Sequence, residues 1–535
     1  VRYAAGDDYN SSDDTLRVRM PSLASSAWHA MAMDLWRRAI EHLEAQPWGK
    51  RVIGYHPGYG IYTEWHYFGS WTNQMPDTGP AMTRHFREWL GRRYGSDEKL
   101  REAWRDPRAT LAGVEVPGVA PRLAAGPLGL RSPAQGSWVS DYYRCQQELT
   151  ARCMEGFCRE AKRVTGDRVI TGAFYGYFEG VPPQTQGGHL ELPSLLKSSA
   201  IDYFAAPYDY SHRLMGDDGR TRAVVDAFAL AGKVHMIEDD TRTYLHPVDE
   251  HGRAPTAAAT IAAMRRMMGA ALIHRTALWW CDFGRDDNGG WYDEPALLAE
   301  VANLQQLAAR RLKQDVRSAA QVLLVADPQG CYSLGDGAAM RIHCALVDQV
   351  TGALHRTGAP FDFVLLPQLE DLDLRPYRAI VWLGCLRVDS ALREKVRAAS
   401  QGRSVVWLWA PGIRDGVRFG PELVRDLTGF SVALEGAGVS ASEAIVGDDD
   451  PLTAGLPSVA ADTIEVARSE PLAHWTDVAA WYNPRSPAQM ERYRTHEVRA
   501  ADGGIDWRVA TYDSWSDVHL RAPVAACDGL GLKVS

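Results

Sequence analysis

A repeat of short apolar runs and amphipathic segments over the first ~310 residues limits the fold more than any other feature. Five runs have the composition of buried strands: "RVIGYH", "RVITGAFYGY", "AIDYFAAPYDY", "KVHMIEDD" and "TALWWCDFG". Helical periodicity surrounds them, as in residues 27–45, 139–165 and 255–271. Because strands that alternate with helices form parallel sheets covered by helices, the sequence predicts an α/β fold.

Each of the five predicted strands ends in a cluster of polar and aromatic residues. The clusters are Tyr55–Glu64, Tyr175–Glu179, Tyr208–Arg213, Glu238–Arg242 and Trp280–Asp282. A (β/α)8 barrel carries its chemistry at the C-terminal ends of many strands, whereas an open sheet concentrates it at one switch point. We therefore expect a TIM barrel. Only five of eight units are visible, so we expect the first three strands to be missing and the chain to be a fragment.

A second α/β unit is predicted after the barrel. The runs "AAQVLLVAD", "FDFVLLPQ", "YRAIVWLGC" and "RSVVWLWAPG" have the composition of buried parallel strands. We place a partial catalytic barrel at 1–312 and the second domain at 313–535, with a less regular part after about 436. Its glycines match neither a dinucleotide fingerprint nor a P-loop, so we expect no nucleotide cofactor. Cys385 lacks the frame of a nucleophile elbow, and an inert cysteine is favoured over an active amidotransferase.

Composition excludes several classes of partner. The net charge is -9 without a long block of like charge, which argues against a nucleic-acid partner. No apolar run is long enough to cross a bilayer, so we expect no membrane partner. The eight cysteines include no CxxC pair, and free thiols are favoured over a metal site. The compartment is not fixed by any segment, and a cytoplasmic location is favoured.

Two glutamates stand out as candidate catalytic residues. Glu64 lies in the aromatic, glycine-rich stretch "YHPGYGIYTEWHYFG", and Glu238 follows the apolar run "KVHMI" directly. They are about three βα units apart, so they can face each other across a barrel. A separation of ~5–5.5 Å between two such carboxyls is typical of retaining glycosidases. For either glutamate alone, a solvated or salt-bridged surface acid is the alternative.

The surroundings of the two glutamates suggest different roles. Aromatic neighbours such as Trp65 disfavour a charge on Glu64, which suits a proton donor. Arg242, four residues after Glu238, is expected to keep Glu238 ionised as a nucleophile must be. Asp239 and Asp240 would oppose this ionisation unless they point elsewhere.

Aromatic and polar side chains at the strand ends are predicted to line a sugar site, with ordinary packing as the alternative for each. Trp65 and Trp280 are expected to stack on a sugar ring. His56 is either a structural histidine or a ligand contact. The other predicted binding residues are Tyr175, Tyr177, Tyr208, Arg213, Asp240, Arg242 and Asp282.

Several of these stretches resemble the clan A glycoside hydrolases, and specifically the β-galactosidase group similar to family 42. They are "VIGYHPGYGIYTEW", "HFREWLGRRYGSDEKLREAW", "FYGYFE", "PYDYSHR", "GKVHMIEDDTRTYL" and the segments Leu278–Gly284 and Gly290–Asp293. The resemblance implies that the barrel is followed by a Rossmann-like, glutamine-amidotransferase-like domain that has lost its chemistry and builds a trimer. It also implies that the missing strands are the first three of the barrel.

Carried over by position, Glu64 matches the acid/base at the end of the fourth strand and Glu238 the nucleophile at the end of the seventh. The sequence departs from the family at Thr63, where an asparagine usually holds the sugar 2-hydroxyl; Thr63 is retained as a candidate binding residue. The family's cysteine zinc cluster is not reproduced, and no metal or other cofactor is expected.

The sequence thus predicts a β-galactosidase-like retaining hydrolase that cleaves terminal β-glycosidic bonds by double displacement with two glutamates. Its expected partners are a carbohydrate substrate and, in the full-length protein, further copies of itself in a homotrimer. The alternative is a catalytically impaired carbohydrate-binding or scaffold protein on the same fold, which the departure at Thr63 favours.

Overall fold

The computed structural model describes residues 1–5, 20–70, 74–126, 129–131, 133–180, 184–187, 189–213, 215–247, 252–282, 289–314, 317–416 and 418–432. The strands are β1 (Gly54–Tyr55), β2 (Ile170–Phe174), β3 (Tyr203–Pro207), β4 (Val234–Asp239), β5 (Ala277–Trp280), β6 (Val322–Ala326), β7 (Phe361–Leu365), β8 (Ala379–Leu383), β9 (Ser404–Trp407), β10 (Arg414–Asp415) and β11 (Arg418–Phe419). The helices are α1 (Ser26–Glu44), α2 (Pro80–Tyr94), α3 (Asp97–Trp104), α4 (Val119–Leu123), α5 (Pro133–Thr165), α6 (Gln184–Gly187), α7 (Leu192–Leu195), α8 (Asp226–Leu230), α9 (Ala257–Ile273), α10 (Pro295–Arg311), α11 (Asp336–His343), α12 (Gln349–Thr357), α13 (Ser390–Ser400) and α14 (Pro421–Thr428).

Several helices begin or end at capping residues. These residues either accept hydrogen bonds from free backbone N–H groups or turn the chain away from the helix. The Ser25 hydroxyl accepts a hydrogen bond from Trp28 N at 3.3 Å and caps the start of α1. The Thr256 hydroxyl caps α9 in the same way, at 3.1 Å from Ala259 N. Gly95 ends α2 in the left-handed conformation, with a φ of 77°. No helix of the described residues is long and apolar enough to span a membrane.

The first sheet contains β1 to β5 in chain order, and all its neighbouring strands are parallel. Helices separate these strands in the chain, long ones between β1 and β2 and between β4 and β5 and short ones in the other two connections, so the connections are crossovers rather than hairpins. The five predicted strands and the TIM-barrel-like α/β fold are therefore confirmed. Parallel pairing brings the C-terminal ends of all five strands to one edge, where the predicted polar clusters lie.

The two faces of the first sheet differ in burial. His235, Ile237 and Asp239 of β4 are buried, whereas Val234 is 46% exposed and Glu238 is half-buried. The buried face is covered by helices. The opposite face, called the open face here, carries Ile170, Phe174, Val234, Met236, Glu238, Ala277 and Trp279, which the strand register places side by side.

The second sheet has the order β7-β6-β8-β9 and is also parallel. Its strands are the four runs that the sequence predicts after residue 313. The assignment of 313–535 as one amidotransferase-like, trimer-building domain stays a prediction, because residues 433–535 lie outside the described residues.

The two sheets share one hydrophobic core. A single cluster of buried side chains includes Phe204 of β3, Phe228 of α8, Leu324 of β6 and Phe363 of β7. A buried ion pair reinforces the junction, since Arg131 Nη2 lies 2.7 Å from Asp336 Oδ1. Within the described residues, the second unit is therefore packed against the first rather than tethered to it.

Candidate active site

Glu64 lies in the loop after β1, and the backbone of this loop is strained on both sides of it. Tyr62, Thr63 and Trp65 have φ values of 48°, 67° and 60°, in the left-handed region that is costly for residues other than glycine. Hydrogen bonds hold this conformation; one joins Trp65 N to Tyr59 O at 2.7 Å. Strained residues cluster at functional sites, so the loop is a structural indication that Glu64 has a role.

The turn of this loop requires glycine at position 60. Gly60 has a φ of 79°, and a Cβ atom there would lie 1.8 Å from the carbonyl oxygen of His66. The same close approach allows Ile61 N to donate to His66 O at 3.1 Å. Gly60 thus lets the two arms of the loop meet and fixes the position of Glu64 between them.

The carboxyl group of Glu64 is buried, with 5% exposure. Burial raises its pKa to about 8, because the charged form loses its hydration; the charges of Glu238 and Asp240 also raise it. The charge of Arg222 and the Tyr177 hydroxyl, which faces it as a hydrogen-bond donor, act in the opposite direction. At neutral pH Glu64 is therefore protonated.

Two histidines pack against the Glu64 loop. The rings of His66 and His189 are stacked with centroids 4.1 Å apart. His189 Nδ1 accepts from Tyr177 N at 3.1 Å, so its Nε2 carries the hydrogen that is donated to Glu64 O at 2.9 Å. His66 Nε2 lies 3.9 Å from Glu64 Oε2. The backbone and the carboxyl of Glu64 are thus each faced by an imidazole.

Glu238 occupies the C-terminal end of β4 on the open face. Burial raises its pKa to about 7, and the charge of Asp240 adds to this effect. The Cys281 thiol, a potential hydrogen-bond donor, and the charges of Arg213 and Arg242 lower it. The expectation that a cation holds Glu238 fully ionised is corrected, because burial and Asp240 outweigh the two arginines.

Asp240 pairs with Arg242, which the sequence suggested as the partner of Glu238, and also with Arg213. Arg213 Nη2 lies 2.5 Å from its Oδ1, the Tyr210 hydroxyl donates to its Oδ2 at 2.8 Å, and Arg242 bonds the same oxygen. Burial would raise the pKa of Asp240, but Arg213, Arg242 and Tyr210 outweigh it and lower the pKa to about 2. Asp240 is therefore a fixed anion beside Glu238.

The structure brings four other predicted binding residues into this cluster. The Arg213 guanidinium lies 3.9 Å from the ring centre of Tyr208, and the Tyr208 hydroxyl is 2.9 Å from that of Thr241. Tyr177 faces Glu64, and Arg242 pairs with Asp240. Tyr177 acts on Glu64, and Arg213 and Arg242 act on Glu238. The Tyr208 ring instead packs against Ile237 and Met267 on the helix-covered side of the sheet.

Trp65 and Tyr175 lie in the hydrophobic core instead. Both have 0% exposure. The Trp65 indole donates to Pro57 O at 2.9 Å, and its ring packs against Phe157. Tyr175 packs on His189, with ring centres 4.3 Å apart. Neither ring has a face open to a sugar, so the aromatic neighbours of Glu64 in sequence act mainly by burying the loop.

The position beside Glu238 that was predicted for Trp280 is occupied by the preceding residue, Trp279. Trp279 pairs in register with Glu238, which places both side chains on the open face, whereas Trp280 pairs with Asp239. Trp280 packs in the helix-covered cluster that includes Met264 of α9. The tryptophan placed to meet a ligand beside Glu238 is therefore Trp279.

The three remaining predicted residues have different surroundings. Both ring nitrogens of His56 are engaged, by the Tyr203 hydroxyl at 3.0 Å and by Phe174 N at 3.1 Å, and burial lowers its pKa to about 4. The structural interpretation of His56 is thus favoured. Thr63 is exposed beside Glu64. Asp282 is exposed, and its carboxylate accepts from Trp291 N at 2.5 Å.

Sequence reasoning missed several residues of the site, namely His66, His189, Tyr210, Arg222, Trp279 and Cys281. Strict alternation along β5 could have identified Trp279 and Cys281 as neighbours of Glu238. Arg222 follows no recognisable signal, because it reaches Glu64 only through tertiary structure. Within the described residues, no group of three or more His, Cys, Asp and Glu side chains is arranged to hold a metal.

No protein-family model and no curated protein match this chain. Solved structures do. The β-galactosidase of Rahnella sp. R3 is 15% identical, with a TM-score of 0.60 over 98% of this chain and 76% of that one. The β-galactosidase of Bacillus circulans sp. alkalophilus is 18% identical, with a TM-score of 0.53 over 75% of this chain and 58% of that one. A catalytic mutant of a GH42 β-galactosidase from G. stearothermophilus is 14% identical, with a TM-score of 0.52 over 82% and 62%.

These likenesses concern the fold. The resemblance expected from the sequence motifs is confirmed at this level, since the chain has a GH42-like β-galactosidase fold. The chain spans 58% of the Bacillus circulans enzyme and 62% of the G. stearothermophilus enzyme.

Proposed function

We propose that this chain is a retaining, β-galactosidase-like glycoside hydrolase in which Glu64 is the acid/base and Glu238 the nucleophile. One observation carries the proposal. Glu64 lies in the loop after β1 and Glu238 near the C-terminal end of β4, and the charge of Glu238 contributes to the raised pKa of Glu64. A retaining glycosidase needs such a pair, with one member protonated and the other ionised.

The first chemical step would join the sugar to Glu238. Its carboxylate attacks the anomeric carbon, and the glycosidic bond breaks as Glu64 gives its proton to the leaving oxygen. Burial raises the pKa of both carboxyls, but Glu64 is buried whereas Glu238 is half-buried and has the charges of Arg213 and Arg242 beside it, which supports Glu64 as the proton donor. In the second step, ionised Glu64 takes a proton from water, and the resulting attack on the anomeric carbon releases Glu238.

A catalytically impaired carbohydrate-binding protein is the second candidate function. Thr63 favours it, because this exposed residue immediately before Glu64 has a shorter side chain than the asparagine expected there. A weaker bond to the sugar 2-hydroxyl would reduce transition-state stabilisation more than ground-state binding. Both candidate functions predict that the protein binds a carbohydrate, but only the hydrolase is expected to cleave it.

The deciding experiment measures hydrolysis of a panel of aryl β-glycosides, including galactosides, by the wild-type chain and by the Glu64→Gln and Glu238→Gln variants. We expect kcat/KM to fall about 10²–10⁴-fold in Glu64→Gln with a poor leaving group. A dinitrophenyl leaving group needs little proton assistance, so Glu64→Gln should still form the glycosyl enzyme and release a burst of phenol. Glu238→Gln should show no burst.

Glu191→Gln is the matched control. Glu191 is also a buried carboxyl with a raised pKa, about 7, but it bonds the Tyr332 hydroxyl at 2.9 Å and lies outside the proposed site. This variant should keep wild-type turnover. Near wild-type turnover in either catalytic variant would refute the assignment, and sugar binding without turnover in the wild type would favour the impaired binding protein.

A further inference from the structure

Three arginines, called the arginine cluster here, meet where the loops of the second sheet pack against helix α5 of the first unit. Arg144 lies on α5, Arg387 lies in the loop after β8, and Arg414 begins β10. Among the described residues, none of these three side chains forms an ion pair with a carboxylate. The neighbouring Arg131, by contrast, pairs with Asp336. The cluster therefore carries positive charge that no contact in the described part of the chain neutralises.

The side chains of the arginine cluster are held close together by their contacts. Arg144 Nη2 donates to Gln329 Oε1 at 3.2 Å, and Arg414 Nη1 lies 3.5 Å from the hydroxyl oxygen of Ser333. Both of these partners belong to the turn that follows β6. Arg387 and Arg414 are paired across a parallel β-bridge, which places their side chains next to each other. Like charges in such a pair repel each other, so the arrangement is unfavourable without an anion.

Burial increases the cost of this positive charge. Arg414 is only 8% exposed, and burial together with the charge of Arg387 lowers the pKa of Arg414 to about 10. Burial and the charge of Arg144 also lower the pKa of Arg387, although the charge of Asp327 opposes them. A buried charge without a partner is strongly destabilising. An anion bound between the three guanidinium groups would remove this cost.

The acids that act on the arginine cluster have other roles among the described residues. They are Asp141, Glu191, Asp327 and Asp389. Asp389 caps the start of α13, and Asp141 accepts a hydrogen bond from the Tyr94 hydroxyl at 2.6 Å. Burial raises the pKa of Glu191 to about 7 and that of Asp327 to about 6, which disfavours their charged forms. The excess of positive charge in the cluster therefore remains.

The arginine cluster lies at the topological switch point of the second sheet. β7 lies on one side of β6 and β8 on the other, so the loops that follow β6 and β8 lead in opposite directions. Open α/β sheets bind ligands in the crevice that such loops form at the carboxyl ends of the strands. Arg387 belongs to one of these loops, and Arg144 and Arg414 contact the other. Arg144 and Arg387 are partly exposed, which gives a ligand access from solvent.

We propose that the arginine cluster binds a phosphate group, either free or carried by a small phosphate ester. A phosphate group has several acceptor oxygens and about two negative charges, and guanidinium groups bind it through pairs of N–H donors. It therefore matches three adjacent guanidinium groups better than a singly charged carboxylate does. None of the three arginines belongs to the candidate active site, so this inference goes beyond the proposed function and does not depend on it.

The test is isothermal titration calorimetry with sodium phosphate and with glycerol 1-phosphate, at constant ionic strength and near neutral pH. We expect saturable binding to the wild-type chain. The affinity should fall about tenfold or more in Arg144→Met and in Arg387→Met, because each variant loses a charged hydrogen-bond donor. Tighter binding of glycerol 1-phosphate would identify an ester as the ligand, and tighter binding of sodium phosphate would identify the free ion.

Arg397→Met is the matched control. Arg397 lies on α13 of the same unit, but it already pairs with Asp426, so its loss should leave the phosphate affinity unchanged. Arg414→Met adds a second measurement. Phosphate should raise the unfolding temperature of the wild type and should no longer raise that of this variant.

Two results would overturn the proposal. One is a wild-type chain that shows no saturable binding of either phosphate compound. The other is an affinity that stays unchanged in folded Arg144→Met and Arg387→Met. If Arg414→Met does not fold because its side chain is buried, these two partly exposed positions still decide the outcome. An equal loss of affinity in Arg397→Met would also refute the site, since it would show binding through general surface charge.

Discussion

Glu64 must keep a proton in an environment from which water is excluded, and this requirement costs the protein stability. In the folded state its pKa is about 8, whereas an unfolded glutamate titrates near ~4.3. The folded state thus binds the proton more tightly, and the stability contributed by this group is lost as pH rises from about 4.3 to about 8. Active-site residues commonly lower the free energy of unfolding in this way, because function requires an unfavourable local environment.

Glu64→Gln should remove this pH-dependent cost. The unfolding free energy of the variant relative to the wild type should grow by about 1.4 kcal/mol per pH unit between pH 5 and 8, because only the wild type must release a proton. Urea unfolding at several pH values measures the difference. In Glu191→Gln the growth should stop near pH 7, where Glu191 titrates. A difference that does not vary with pH would contradict the raised pKa of Glu64.

The sequence predicts that Glu64 is protonated, but it indicates only one of the physical causes. Aromatic neighbours in the sequence indicated burial, and Trp65 does bury the loop. The groups that set the electrostatics come from other strands: Tyr177 follows β2, and Arg222 precedes α8. Such contacts depend on the packing of distant segments, which local sequence patterns do not encode.

At the scale of one element, β5 separates two adjacent tryptophans by function. Trp279 lies on the open face beside Glu238, and Trp280 packs against α9. The sequence predicted the strand correctly because its apolar run is bounded by polar residues. The sequence did not indicate which tryptophan lies on which face of the sheet. Alternation of apolar and polar residues assigns faces only where neighbouring positions differ in polarity, and both positions in "WW" are apolar.

Replacing each tryptophan by alanine should separate the two roles. Trp280→Ala removes a large, partly buried side chain that packs against a buried cluster, and should destabilise the protein by about 2–3 kcal/mol with little change in KM. Trp279→Ala should cost less stability, since Trp279 is not part of that packed cluster, and should raise KM for an aryl β-galactoside. Thermal unfolding and steady-state kinetics on both variants make the comparison. The reverse pattern would show that the faces are misassigned.

At the scale of the whole molecule, buried polar contacts join the two units in addition to the apolar core. Asp336, at the start of α11, pairs with Arg131 and also accepts hydrogen bonds from the hydroxyl groups of Tyr143 and Thr185. These donors come from the first unit, and the carboxylate comes from the second. The Asp336 side chain is completely buried.

Asp336→Ala should destabilise both sheets together by about 3–5 kcal/mol, because it leaves the Arg131 charge buried without its carboxylate. Urea unfolding followed by tryptophan fluorescence and by circular dichroism should give coincident, shifted transitions. Asp373→Ala is the control. It breaks the Arg375–Asp373 pair, 2.7 Å long, whose side chains are 90% and 51% exposed, and should change stability little. Two separate transitions would contradict the coupling.

The shared core has a practical consequence for engineering this protein. The boundary predicted from the sequence, residue 312, is a poor place to divide the gene, because either half would expose the apolar surface that Phe204, Phe228 and Phe363 now bury together. Swapping the second unit for one from another protein would meet the same obstacle. Redesign of substrate preference is therefore better confined to exposed positions of the strand-end loops, such as Thr63, because Tyr59 and Trp65 of the same loop belong to the joint core.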